Sequence, residues 1–371
     1  MFTFVMSARS KSSVGSCIPE LLGLNSFRRR SQNHSTTDDF SSSKTAWPVS
    51  LIESIFFPEF KKKCHVTAPE FKVVETISKG AFGKVYKVED DLGKEYAMKI
   101  LSKAQIITDN AIKQVKDEVM IQSMCGHHPF IVDCPFFWQS KKQLFIVSTF
   151  VPGGELLHLW NKYGPFPEDV IRVLVAEIAL GLDFLHNAGV IYRDLKLENI
   201  LLDSDGHVQI IDFGLAKWLK HGARTSTICG TLQYMAPEIL RMQPYTHSVD
   251  WWSLGVIFFA LLHGSLPFDD SEVSMSPEYE PIEVPQIGAH CSPAAKDLLS
   301  RLLTTDPEKR LHSLLRLQGV SFYHKFSFKS VQEKKVSPLE LLKSSAVPRV
   351  LITNQATFSM LSDVGVKPKS M

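Results

Sequence analysis

The sequence offers little that would place it in a membrane or an oxidising compartment. Its six cysteines, Cys17, Cys64, Cys125, Cys134, Cys229 and Cys291, include no Cys-x-x-Cys pair and no metal-ligand spacing. That argues against a disulfide framework or thiolate metal site and reads as reduced thiols in a cytoplasmic and/or nuclear chain. No apolar run approaches the ~20 residues a membrane helix needs, so no transmembrane segment is expected. Net charge is only +2, with 41 Lys and Arg against 39 Asp and Glu, so no nucleic-acid partner is implied. Met1 to Met6 is too short for a signal core and lacks a basic start. Residues 7 to 37 contain one acid, Glu20, which faintly resembles a transit peptide, but a disordered Ser/Arg-rich leader over 1–46 is the expectation. What remains is 371 residues with 44% apolar content, enough for one large core or two smaller ones.

Against those absences one stretch is dense in chemistry. Ile191-Tyr192-Arg193-Asp194-Leu195-Lys196-Leu197-Glu198-Asn199 leads through two apolar runs around Asp203-Ser204-Asp205-Gly206 to Asp212-Phe213-Gly214. The apolar runs read as a small hairpin, which returns Asp212 to the side of Asn199. Phosphoryl transfer needs a carboxylate to orient the attacking hydroxyl and a cation on the transferring group. It also needs ligands for the divalent ions that neutralise phosphate charge. Asp194 can orient the hydroxyl, Lys196 can reach the γ-phosphate, and Asn199 with Asp212 can hold Mg²⁺. A bare Arg-Asp pair would mean nothing; the full string, with Asp-Phe-Gly eighteen residues beyond Asp194, is specific.

These residues resemble the protein kinases. Tyr192 ahead of Arg-Asp-Leu-Lys is similar to the AGC group, and Lys196 two residues after Asp194 points to Ser/Thr acceptors. Thr225-Ser226-Thr227-Ile228-Cys229-Gly230-Thr231, ending at Ala236-Pro237-Glu238, looks like the AGC activation segment. Within that group the ribosomal-protein S-six kinase branch is the most similar. The resemblance covers about residues 71–325. It implies an α+β, bilobal protein kinase fold with a β-rich N-lobe (71–149) and a helical C-lobe (150–325), holding ATP and Mg²⁺ between them. A hydrophobic docking segment or linker (47–70) would precede this domain and a tail (326–371) follow it.

The resemblance assigns further roles. Ile77-Ser78-Lys79-Gly80-Ala81-Phe82-Gly83-Lys84-Val85 matches the glycine loop that covers the nucleotide, with Ser78 replacing its first glycine. Gly80 and Gly83 still allow close backbone approach to phosphates, so the change bears on turnover rate more than on competence. Lys99, in the strand pattern Lys94 to Leu101, would bind the α/β-phosphates and pair with Glu118 on the helical stretch Ala111 to Met124. Backbone at Thr149 and Val151 would bond adenine, and the small Ser148 beside them would leave a back pocket open to bulky inhibitors. Glu155 would bond ribose hydroxyls or a substrate arginine. Glu155 and Glu198 together imply protein substrates with Arg three residues before the acceptor, and Thr231 would bond Asp194 and Lys196. Thr227 is the expected phosphosite, clamped by Arg193 and Lys217, which implies an upstream activating kinase. Asp250 would bond the catalytic-loop backbone and Glu238 would pair with Arg310. His127 and His128 read as structural.

Two segments fall outside that pattern. Trp47 to Phe60 carries four aromatics and four aliphatics, each costing roughly 1.5–3 kcal/mol to leave in water. Phe57-Pro58-Glu59-Phe60 has the Phe-x-x-Phe spacing that AGC members place in a groove beside the Glu118 helix, but from the C-terminal tail. The tail here lacks such a string, so Phe57 and Phe60 are expected to fill the groove in cis; a generic packed linker is the simpler alternative. Ser31 after Arg28-Arg29-Arg30 and Ser337 before Pro338 are weak phosphorylation candidates. Taken together, the sequence reads as an ATP-dependent serine/threonine kinase acting in intracellular signalling. The rival is a nucleotide-binding pseudokinase serving as scaffold or allosteric partner, favoured by Ser78 and the missing tail motif. Against it, Lys99, Glu118, Asp194, Lys196, Asn199 and Asp212 are all present.

Overall fold

The computed structural model describes residues 4–6, 51–62, 69–80, 83–268, 273, 275–276 and 291–345. Before residue 51 it describes only β1 (Phe4–Met6), so the expectation of disorder over 1–46, Ser31 included, otherwise lies outside the described residues. A short helix, α1 (Leu51–Ser54), opens the docking segment.

The small lobe is a five-stranded antiparallel sheet. β2 (Phe71–Lys79) and β3 (Gly83–Asp90) form a hairpin across the glycine loop, and β4 (Glu95–Ser102) pairs with β3. After α2 (Lys103–Thr108) and α3 (Ile112–Cys125), β5 (Phe136–Gln139) and β6 (Gln143–Thr149) complete the order β2-β3-β4-β6-β5. Alternation on β4 buries Tyr96 and Met98 on one face, with Val88 and Trp138, and Leu101 on the other, against α3, while the hydroxyl of Ser102 caps α2. α3 lies against the sheet through Val115, Val119 and Glu118.

Beyond the hinge, α4 (Leu156–Tyr163) and α5 (Glu168–Asn187) begin the large lobe. The expected stripe Val170, Leu174, Ile178, Leu182 and Leu185 is buried on α5. β7 (Val190–Ile191) leads into the catalytic loop, β8 (Ile200–Leu202) and β9 (Val208–Ile210) form the hairpin read from the sequence, and β10 (Lys217–Trp218) returns to β7. β11 (Ile228–Gly230) pairs antiparallel with β1, and α6 (Pro237–Leu240) closes the activation segment. α7 (Ser248–His263) is apolar on every side and accordingly buried through Leu262, stopping at Gly264 in the left-handed region (φ +85°).

α8 (Pro293–Leu302), capped by Ser292, and α9 (Leu314–Gln318) complete the helical lobe. Packing then continues past residue 325. α10 (Phe328–Gln332) and α11 (Pro338–Ser344) lie on α5, with Phe328, Val331 and Leu342 buried. The weak periodicity of that stretch hid these short amphipathic turns. Ser337, the N-cap of α11, donates its hydroxyl to the Asp205 carbonyl oxygen and accepts from the Glu340 N–H.

The docking segment packs on the small lobe, but with a different pair of rings from the one expected. Phe56 and Phe60 are fully buried against Leu101, Ile106, Val115 and Val119, whereas Phe57 is only partly covered. Phe60 N–H bonds Phe56 O at 3.0 Å, a helical turn that puts residues four apart on one side. The Phe-x-x-Phe spacing paired Phe60 with Phe57; the turn pairs it with Phe56 instead. Gln139 receives the turn: its side-chain amide donates to the carbonyls of Phe60 and Glu53, and its N–H donates to Lys61 O at 2.8 Å.

Candidate active site

The site forms where β7 ends and the chain turns through Arg193 to Asn199. Arg193 (φ +70°) and Asp212 (φ +55°) occupy the left-handed region, which costs free energy for residues with a Cβ. Asp250 at the start of α7 holds the first: its carboxylate accepts from the N–H groups of Tyr192 and Arg193 at 2.9 and 2.8 Å, the contact expected of it. Tyr192 donates its hydroxyl to Ile211 O and meets Phe213 edge-on at 5.4 Å, tying the catalytic loop to the Asp-Phe-Gly turn.

Asp194 is the hub. Its Oδ2 accepts from Asn199 Nδ2 at 2.9 Å and lies 3.1 Å from Lys196 Nζ, and its Oδ1 accepts from Thr231 Oγ1 at 3.0 Å. Lys196 Nζ also donates to Thr231 Oγ1 at 2.9 Å. Burial pushes the Asp194 carboxyl above the usual range, with Lys196 opposing it. Asn199 Nδ2 also donates to Asp194 O at 2.9 Å, which uses both its hydrogens and leaves Oδ1 as the cation-facing atom. Asp212 is held below the ordinary carboxylate range, first by Lys99. An amide oxygen and one ionised carboxylate are a donor set that suits Mg²⁺ completing its shell with phosphate oxygens and water.

Lys99 reaches the same space from β4. Its Nζ is 2.6 Å from Glu118 Oε1 and 3.7 Å from Asp212 Oδ1. Burial opposes both charges and raises the Glu118 carboxyl, yet the two carboxylates hold the Lys99 ammonium above its ordinary range. In the glycine loop, Gly80 N–H donates to Gly83 O at 2.9 Å. A Cβ on Gly83 would lie 1.8 Å from Ile100 O, so that glycine is required by sheet packing; among the described residues one on Gly80 would meet only Gly83 O, at 4.0 Å. Ile77, Ser78 and Lys79 are exposed on β2, and Lys84 and Val85 stand across from them on β3; Ala81 and Phe82 lie outside the described residues.

At the hinge, Thr149 N–H donates to Asp133 O at 3.1 Å, so an adenine contact there falls to the Thr149 carbonyl. Val151 is buried beyond it. Glu155 is exposed at the mouth of the cleft, its carboxyl raised first by desolvation and then by Glu198. Glu198 Oε2 is buried without a hydrogen-bond partner among the described residues. In the activation segment, Lys217 Nζ donates to Thr225 Oγ1 at 2.9 Å, and Thr225 Oγ1 lies 3.5 Å from Thr227 Oγ1. Arg193 Nε donates to Leu215 O at 2.6 Å, which sets the guanidinium behind the same loop.

A protein kinase domain matches residues 71–319. The chain belongs to the protein kinase family. It is 39% identical over 287 residues to the ribosomal protein S6 kinase-related protein of Homo sapiens, covering 76% of this chain and 69% of that one. It is 39% identical over 278 residues to the serine/threonine-protein kinase AtPK1/AtPK6 of Arabidopsis thaliana, covering 74% and 59%. It is 38% identical over 281 residues to the RAC family serine/threonine-protein kinase homolog of Dictyostelium discoideum, covering 75% and 63%. The chain thus spans about three-fifths to two-thirds of the length of these relatives, which place it with the AGC kinases. Kinases of this family use ATP and Mg²⁺.

Beside the anticipated residues stand several that the sequence reading missed. Gln122, one turn after Glu118, donates to Ser148 Oγ at 3.0 Å. Lys103 is buried against the Phe56 ring and donates to Gln139 Oε1. Lys116 bonds Phe57 O and Glu59. Gln122 carried one usable signal, a polar side chain at i+4 from Glu118 on a face that must be buried.

Proposed function

We propose that this chain is a Ser/Thr protein kinase whose own catalytic loop transfers the γ-phosphate of ATP to basophilic protein substrates in intracellular signalling. The observation that carries the reading is the convergence of Asn199, Lys196 and Thr231 on the single carboxylate of Asp194. Asp194 accepts the acceptor hydroxyl's hydrogen bond and orients its oxygen for in-line attack. Lys196, shared with Thr231, lies close enough to follow charge onto the transferring group. Lys99, fixed by Glu118, holds the α/β-phosphates, and Thr149 and Val151 seat the base. Asn199 Oδ1 and Asp212 are the ligands for Mg²⁺, which supplies neutralisation of phosphate charge when bound.

Substrate choice follows from Glu155 and Glu198. A buried carboxylate oxygen without a partner is costly, and a guanidinium fork satisfies it. Thr227 is the site an upstream kinase would modify, where its phosphate would draw Lys217 from Thr225 and engage Arg193. The docked Phe56–Phe60 turn braces α3 and so supports the Lys99–Glu118 pair.

The second reading, a nucleotide-binding pseudokinase, is favoured by Ser78 in the glycine loop. Purified protein phosphorylated at Thr227, incubated with ATP, Mg²⁺ and a peptide library beside Asp194→Ala, separates the two. Label on Arg-containing peptides in the wild type alone supports the kinase. Nucleotide binding with equal labelling in both proteins supports the scaffold.

A further inference from the structure

Glu118 and Gln122 are one helical turn apart on the buried face of α3, each only 5% exposed. Glu118 reaches Lys99 on β4, and Gln122 Nε2 reaches Ser148 Oγ on β6 at 3.0 Å. The strands are neighbours in register: Ala97 faces Ser148, and Lys99 faces Ile146. Cross-strand partners share a side of the sheet, so Lys99 and Ser148 both present their side chains toward α3. One helix face therefore makes two polar contacts, one turn apart, to two adjacent strands. Cys134, beside Ser148, is a buried thiol and adds no charge there.

We propose that Gln122 is a positioning residue for phosphoryl transfer: bonded to Ser148, it holds α3 at the distance and rotation that put Glu118 on Lys99, and it closes the space behind the hinge. An apolar side chain at 122 would fill the same volume but tolerate sliding. A side-chain amide on a hydroxyl does not, because moving the helix by more than about an ångström leaves the buried Gln122 amide unpaired. The back pocket that a small residue at 148 would leave is spanned by the Gln122 side chain. A ligand entering it has to displace that side chain or replace its bond.

The proposal rests on the kinase reading, so its test includes a readout that needs no turnover. Four variants in the phosphorylated chain are compared: Gln122→Leu, Ser148→Val, Ser148→Thr and the double Gln122→Leu/Ser148→Val. Val and Thr have the same shape and differ in the hydroxyl alone, so a packing defect shows in both. Peptide phosphorylation gives kcat and KM for ATP. In a parallel Asp194→Ala background, the rate at which an acyl-phosphate derivative of ATP acylates Lys99 reports that ammonium's placement. Gln122→Leu and Ser148→Val should each lower kcat and Lys99 acylation about five- to twentyfold, more than they change KM for ATP. Ser148→Thr should stay within about threefold of wild type, and the double variant should lose no more than the larger single loss, because either change alone already breaks the one bond. Losses that multiply in the double variant, or equal losses in Ser148→Val and Ser148→Thr, overturn the proposal. So does unchanged Lys99 acylation in the single variants. If the wild type transfers no phosphate but the acylation pattern holds, the kinase reading fails while the positioning role stands.

Discussion

Lys116 and Glu59 form an ion pair at 2.7 Å, two residues before Glu118 on α3. The same Nζ donates to Phe57 O at 2.8 Å, so the helix that orients Lys99 grips a turn 59 residues upstream. Beneath this grip Phe60 is fully buried and Phe57 is not. Phe60→Ala should therefore cost about 3–5 kcal/mol of small-lobe stability, and Phe57→Ala well under half of that. Thermal melting with and without a Mg²⁺–nucleotide analogue reads both. Phosphotransfer should fall with Phe60→Ala, because α3 loses its brace. Equal melting shifts for the two variants would return the Phe57 register.

Lys103 gives the docked turn a pH signature. It is 1% exposed, with its ammonium 5.1 Å from the Phe56 ring centre, and burial pushes it down to about 8, against partial support from Glu53. The unfolded chain holds that proton up to the ordinary lysine range and the folded chain gives it up earlier. Between about pH 8 and 10.5 the unfolded state thus binds more protons, and stability from this group rises with pH. Below about pH 8 the cost of the buried charge is constant. The wild-type minus Lys103→Met difference in unfolding free energy should change by roughly 3 kcal/mol across that window. Denaturant titrations at pH 7.5 and 10 check it, and a difference independent of pH would refute it.

The catalytic loop was legible because its chemistry is local. Asp194, Lys196 and Asn199 lie on one short loop, and the hairpin Ile200–Ile210 returns Asp212 by simple turn geometry. The stripe on α5 was legible from period alone. The docked turn was half legible. Its apolar density required a partner, but the choice between Phe56 and Phe57 depends on how the turn is rotated against the lobe, and tertiary contacts with Gln139 fix that. Gln139 and Lys103 were not legible, because a polar residue buried by a distant partner carries no local mark, and Gln122 showed only its place one turn after Glu118. The tail helices escaped notice because five- and seven-residue turns are too short to show a period.

Glu238 and Arg310 join the activation segment to the end of the large lobe through two bonds at 2.7 and 2.9 Å, with Arg310 wholly buried over Trp252. Removing one partner leaves the other charge buried. Glu238→Ala should therefore destabilise by about 3–5 kcal/mol, seen as a fall in the denaturant midpoint. Glu238→Ala/Arg310→Met should lose less than Glu238→Ala, since no charge is then stranded; a larger loss in the double variant would contradict this account.

Ser148 also sets the response to bulky ATP-site inhibitors. A larger group at 148 blocks the approach behind the hinge, whereas shortening Gln122 clears it. Ser148→Met should weaken such compounds, and Gln122→Ala should strengthen them, each by tenfold or more, an amount equivalent to about 1.4 kcal/mol. Unchanged inhibition constants in Ser148→Met would sink the idea, provided both variants still bind the Mg²⁺–nucleotide analogue.

Selection of a substrate arginine should vanish on the acid side earlier than an ordinary glutamate would allow. Desolvation and then the Glu198 carboxylate hold Glu155 above its usual range, so it takes up a proton at a higher pH than an ordinary glutamate as pH falls. Once neutral, it no longer draws a guanidinium, and the peptide with Arg three residues before the acceptor loses its advantage over the Ala peptide. The ratio of their kcat/KM values, measured from pH 7.5 down to 5, should fall along the way even where the absolute rates have other pH limits, because Asp194 titration affects both peptides alike. Glu198→Gln removes the neighbouring charge and lets Glu155 ionise more readily. In that variant the ratio should start lower, having lost one partner, but hold its value to a lower pH. Parallel profiles in the two proteins would mean that Glu155 does not read the arginine. A ratio near one at every pH would remove both carboxylates from substrate choice.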